Sequence, residues 1–126
     1  MRDLRPDLAT LWSVASRLRP QQGARTVMFV AARSGEGTSS MAASFALMAA
    51  EHAERTAWLV DLALAKNEAY DAFDASFASG VARPGRAYDA SLGCAPMYEL
   101  MPATQGGIAK LLTAHPVTGT RLLVTR

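Results

Sequence analysis

Hydrophobic positions along the first half of this chain fall into blocks of different period, and the periods predict the elements. Leu8, Leu11, Trp12, Ala15 and Leu18 recur at helical spacing within residues 6–19, with Asp7 and Arg17 off that stripe and Pro6 suited to a first turn. An amphipathic helix is expected there, ended by Pro20-Gln21-Gln22-Gly23. Thr26-Val27-Met28-Phe29-Val30-Ala31-Ala32 is apolar without alternation, the pattern of a strand covered on both faces. Residues 39–53 form an apolar block of helical length, and Thr56-Ala57-Trp58-Leu59-Val60-Asp61 reads as a second strand finishing in a carboxylate. Strand, loop, helix and strand in that order predict a βαβ unit, two parallel strands joined by a right-handed crossover, and with it the α/β class.

Beyond residue 62 the pattern loosens. Gly80, Pro84, Gly85 and Gly93 punctuate the chain, and a short helix is expected over residues 67–77. Met97-Tyr98-Glu99-Leu100-Met101-Pro102 reads as a third strand, residues 107–115 as a short helix and Arg121-Leu122-Leu123-Val124-Thr125 as a fourth strand. The chain stops inside that strand, so a truncated core, incomplete at the C-terminus, is expected. The whole reads as one domain, residues 1–126, with an N-terminal helix and linker over 1–22 and a core over 23–126. Its expected fold is a mostly parallel sheet flanked by helices.

Composition agrees with one packed domain: 126 residues, half of them hydrophobic, are enough for a single core. The net charge of +2 comes almost wholly from arginines spread along the chain, Lys66 and Lys110 being its lysines, so nucleic acid is not an expected partner. The single Cys94 excludes an internal disulfide and by itself builds no zinc site, which favours a reducing, cytoplasmic setting. No signal peptide is expected from the charged N-terminus, and the uncharged run over residues 37–50 reads as a buried helix rather than a membrane span.

The candidate chemistry lies between the first strand and its helix. Ala31-Ala32-Arg33-Ser34-Gly35-Glu36-Gly37-Thr38-Ser39-Ser40 has the form of a phosphate-binding P-loop in which Thr38 stands where the lysine belongs. Glycines let successive backbone N–H groups converge at a helix N-terminus, where the helix dipole also favours negative charge. Gly35, Glu36, Gly37, Thr38, Ser39 and Ser40 are therefore the candidate nucleotide-binding residues, with Ser39 supplying the hydroxyl that reaches magnesium. The lost lysine normally neutralises the outer phosphates and follows the charge that develops in transfer. Removing such a donor costs roughly 3–4 kcal/mol of transition-state stabilisation, so no catalytic residue is assigned. Rescue would require Arg33 or a second subunit. Two other readings of the loop stay open: a plain strand-to-helix turn capped by Ser or Thr, and a dinucleotide fingerprint in which Asp61 meets a ribose.

Taken together, Val27-Met28-Phe29-Val30-Ala31-Ala32, the stretch from Ser34-Gly35-Glu36-Gly37-Thr38-Ser39-Ser40 to Phe45-Ala46, and Trp58-Leu59-Val60-Asp61-Leu62-Ala63-Leu64 resemble the bacterial tyrosine kinases of capsule and exopolysaccharide export, within the MinD/ParA-like P-loop ATPases. The resemblance covers about the first half of the chain. It is weaker at the helix over residues 11–18 and at Leu100-Met101-Pro102-Ala103. In that family the loop reads Gly-Glu-Gly-Lys-Ser-Thr and the second strand ends in Asp-x-Asp-Leu-Arg. Here Thr38, Ala63 and Ala65 replace the lysine, the second acid and the arginine, and no strand ends in Asp-x-Pro-Pro.

What the resemblance implies is ATP or ADP with magnesium as cofactor, weak or lost, with Ser39 and Asp61 at the metal. It also implies a membrane-embedded chain-length regulator or export protein as partner, homo-oligomer formation, and a cytoplasmic location peripheral to the inner membrane through that partner. Tyr70, Tyr88 and Tyr98 are the tyrosines present, and none sits in a C-terminal cluster of the kind such kinases phosphorylate. The expected protein is a pseudo-enzyme. An active ATPase or protein-tyrosine kinase with an atypical loop, and a partition or division-site-positioning switch, are the alternatives. His52 and His115 are isolated and read as surface or capping residues, Cys94 as a packing residue, and Trp12 and Trp58 as structural, with Trp58 on a buried strand and Trp12 on the stripe of the first helix, where contact with a partner subunit is the alternative.

Overall fold

The computed structural model describes residues 1–19, 23–52, 56–63, 66–78, 80–87, 98–100 and 110–126. A short 3-10 turn, Arg5–Asp7, leads into α1, Ala9–Arg17. The later elements are α2, Thr38–His52; β1, Ala57–Leu59; α3, Glu68–Asp74; β2, Tyr98–Leu100; β3, Lys110–Leu112; β4, Ala114–Pro116; and β5, Leu122–Thr125. The protein is thus mixed α/β, as its sequence pattern implies. Among the described residues no helix is long and apolar enough to cross a membrane.

Helix α2 is the centre of the fold because its sequence is apolar nearly all round. A helix of that kind gains most when it is covered on several sides. Ala43, Ala46, Leu47 and Ala50 pack with Phe73, Leu122 and Val124 in one cluster, while Phe45 and Met48 turn to Leu8 and Ala15 in another. Trp12 sits 5.7 Å from the Phe45 ring and 5.6 Å from His52, so the apolar stripe of α1 meets its own chain there. The hydroxyl of Ser44, fully buried, accepts from the Leu4 N–H (2.9 Å), and Arg5 pairs with both Asp3 and Glu51. These bonds fasten the N-terminal segment along α2.

Strand β5 is buried at all four positions and central in the order β1-β5-β4. It runs parallel to β1, with Ala57, Trp58 and Leu59 opposite Leu122, Leu123 and Val124, and antiparallel to β4, with His115 opposite Val124. The β4–β5 turn is closed by the Thr120 hydroxyl, which donates to the Val117 carbonyl (2.8 Å) and accepts from the Leu122 N–H (3.1 Å). Gly119 completes it with φ +77, a left-handed conformation suited to glycine. A separate antiparallel pair joins β2 to β3.

Several expectations are corrected. The sheet is mixed, not mostly parallel. Residues 26–32 form no strand and pair with nothing among the described residues, so the expected βαβ unit is absent; the parallel partner of β1 is β5 instead. In the observed order β5 has β1 on one edge and β4, joined through a short turn whose closure costs little entropy, on the other, while the outer edge of β1 carries no strand.

Residues 110–115 are strand rather than helix, since Lys110–Leu112 and Ala114–Pro116 each pair in a ladder. Trp58 is 48% exposed, because β1 is covered by α2 on one face only. The helix over 67–77 shortens to Glu68–Asp74, and the strands at 97–102 and 121–125 are present as β2 and β5. The expectations placed on Cys94 and Tyr88 lie outside the described residues.

Candidate functional site

Gly35 and Gly37 have φ of +85 and +81, and a Cβ added to either would meet nothing within 4 Å. Glycine is required there by backbone conformation, not by space. The two left-handed residues turn the chain into α2, whose first turn is Thr38-Ser39-Ser40, with the Met41 N–H already bonded to the Gly37 carbonyl (2.9 Å). An open cleft of about 600 Å³ lies over this turn, lined by all six candidate nucleotide-binding residues, 35–40, and from the other side by Glu68, Asp71 and Ala72 of α3 and its approach. The sequence places the loop residues together; the approach of α3 is a tertiary addition.

The electrostatics of the cleft are acidic. Glu36, Glu68 and Asp71 line it, and among the described residues no Lys or Arg does. Arg33, the candidate replacement for the lost lysine, is exposed and outside that lining. The Glu36 carboxylate folds back on its own loop and accepts from the N–H groups of Ala32 (3.0 Å) and Arg33 (3.1 Å). Two backbone donors that would otherwise be available to an anion are thereby taken by an internal carboxylate. Glu36 is a candidate binding residue by its place in the loop, yet its carboxylate closes the loop on itself; a carboxylate between two glycines is the local signal of that closure.

Ser39 faces Glu68, its hydroxyl 3.5 Å from Oε2, a contact at the outer limit of a hydrogen bond. Ser40 accepts from the Arg2 N–H (3.2 Å), which brings the N-terminal segment to the rim, and Met1 joins the cleft lining.

Asp61 is not part of this cleft. Its Oδ1 accepts from Ala63 N–H (2.9 Å) and its Oδ2 from Ala69 N–H (3.1 Å) in the first turn of α3, while its own N–H donates to the Thr125 hydroxyl (2.9 Å). It caps α3 from a distance, a task that Asn67, at the cap position, does not perform with its side chain. Among the described residues no group of three or more His, Cys, Asp or Glu side chains is placed to hold a metal ion.

The histidines are structural. His52 Nδ1 bonds the Met48 carbonyl (2.9 Å) at the end of α2. His115 is buried, donates from Nδ1 to the Gly85 carbonyl (3.0 Å), meets the Thr113 hydroxyl at Nε2 (3.1 Å) and stacks edge-on against Tyr70. Tyr70, one of the candidate acceptor tyrosines, is itself covered by the Arg126 guanidinium, 4.9 Å from the ring centre.

Comparison with known protein families, with curated proteins and with solved structures finds no match for this chain.

Proposed function

We propose that this chain is a degenerate P-loop protein of the exopolysaccharide-kinase type, with a P-loop NTPase-like core, that binds nucleotide weakly and acts through protein contacts rather than phosphoryl transfer. The observation that supports it is the pair of left-handed glycines opening α2 beneath a cleft that has four hydroxyl side chains and, among the described residues, no Lys or Arg side chain. The glycines aim backbone donors at an anion, as a phosphate nest requires. The carboxylates of Glu36, Glu68 and Asp71 oppose the same anion, and no lysine offsets them. Phosphate and carboxylate repulsion is relieved by a divalent cation, for which Ser39 and Glu68 are oxygen donors of the kind magnesium takes beside phosphate oxygens and water. Binding is therefore weak and magnesium-dependent, and transfer is absent because nothing follows the developing charge. The pathway, exopolysaccharide or capsule export beside a chain-length regulator, rests on the family resemblance of residues 27–64.

Calorimetry with ATP and ADP, with and without magnesium, on the wild type and Thr38→Lys tests this. Weak binding that needs magnesium, tightened about tenfold or more by Thr38→Lys, is expected. Silence of both proteins would reduce the loop to a structural turn. Turnover that disappears in Ser39→Ala would replace the proposal with an active enzyme.

A further inference from the structure

The segment before the loop is as apolar as any strand in the chain and is left bare. Met28 is 79% exposed and Val30 76%, while Phe29 between them turns onto Phe45, ring centres 5.5 Å apart. That is the alternation of an extended chain with one side seated on α2. Among the described residues, the backbone N–H and C=O groups of residues 26–31 have no hydrogen-bond partner. Natural edges are usually protected by a charge, a proline or a covering element. Residues 26–32 contain neither a charge nor a proline.

We infer that residues 26–30 form a strand-pairing site for a second copy of this chain, antiparallel about a two-fold axis through Met28. The segment is its own complement in that register. Thr26 opposes Val30, two β-branched side chains of one shape; Val27 opposes Phe29; Met28 opposes Met28. Charge excludes one neighbouring register. Centring on Met28 sets Arg25 opposite Ala31, whereas centring on Phe29 sets Arg25 directly opposite Arg33, a like-charge pair. An isologous dimer needs this kind of self-complementarity.

The ladder is short, and the surface it buries falls well below the ~800 Å² per partner of a standard interface. Pairing is therefore weak and concentration-dependent. It uses none of the groups in the loop cleft, so it stands or falls apart from nucleotide binding.

Sedimentation velocity on the wild type, from about 10 to about 500 µM without nucleotide, should show a dimer fraction that grows with concentration and is lost in Met28→Lys. Geometry is read by cross-linking. In a Cys94→Ser background, Met28→Cys places two thiols directly opposite one another, at the Cα separation of about 4.5–5.5 Å that a disulfide accepts, and mild oxidation should give a covalent dimer. Met41→Cys, at an exposed position on α2, should not cross-link. A wild type that stays monomeric throughout the range overturns the inference, and its capture of an unrelated apolar strand peptide would assign the edge to a different protein. A dimer that survives Met28→Lys, or that cross-links through Met41→Cys but not Met28→Cys, overturns it in favour of another surface.

Discussion

The segment at residues 26–32 and helix α2 flank the same glycine loop, and both are apolar, yet one is bare and the other is the centre of the core. Helix α2 satisfies its own backbone hydrogen bonds, so it needs only side-chain neighbours, and it finds them on two sides in Phe73, Leu122 and Val124 and in Leu8 and Ala15. The segment satisfies none of its own. It needs a strand beside it, and among the described residues it has none, although the outer edge of β1 carries no strand in the order β1-β5-β4. Hydrophobicity predicts that a stretch will be covered; whether it is covered within the chain depends on whether its backbone finds partners.

That contrast can be broken most severely at Phe73, fully buried beneath α2 and edge-on to Phe77 at 5.0 Å. Phe73→Ala should cost about 3–5 kcal/mol in chemical denaturation, and a loss under about 1 kcal/mol would mean that this core is not packed as described. A smaller loss is expected where the sheet is tied to the helices. Thr125 accepts from Asp61 N–H and donates to the Leu59 carbonyl, so Thr125→Val, which keeps the shape, should cost roughly 1–3 kcal/mol by leaving the Asp61 N–H without its partner.

Gly37→Ala should cost about 1–2 kcal/mol from the left-handed backbone alone, since no neighbour obstructs the new methyl group. Thermal melts would check it, and an unchanged melting temperature would show that the loop relaxes to another conformation. At the N-terminal strap, Arg5 holds the Asp3 carboxyl below its ordinary value, chiefly through their side-chain hydrogen bond. A lowered folded-state value means that the stabilisation is complete above the unfolded carboxyl's pKa and lost as pH falls through the folded one. Wild type should exceed Asp3→Asn by about 0.2–1 kcal/mol at neutral pH, with the gap closing below about pH 4. Met28→Lys should have the smallest effect of all, within about 0.5 kcal/mol for the monomer, because the side chain is already in solvent. A loss of several kcal/mol would show that the segment is a buried strand after all.

Helical period carried well from sequence to structure. Of the stripe, Leu8, Trp12 and Ala15 face the core while Leu11 and Leu18 are exposed, and the apolar block after the loop is α2 almost to the residue. Gly35 and Gly37 announced a turn, and both have the left-handed backbone that only glycine adopts freely. Strands carried less well. The run at 26–32 and that at 56–61 look alike in sequence, but the second pairs with β5 and the first with nothing among the described residues, since pairing depends on a distant partner. His115 in β4 fell within an expected helix because a short apolar run has no period that separates the two structures.

At the site, the sequence by itself determined the loop: two glycines, four hydroxyl residues and a missing lysine are local facts, fixed by residues adjacent in the chain. Only the tertiary structure decided what surrounds them. It brought Glu68 and Asp71 across the cleft, left Arg33 outside, and spent the carboxylate oxygens of Asp61 on backbone N–H groups of the α3 region. The physical reason is the range of the interactions. Backbone conformation and helix period are set by neighbours within a few residues, whereas the charge a cleft presents and the partner a strand finds are set by segments that fold back from far along the chain.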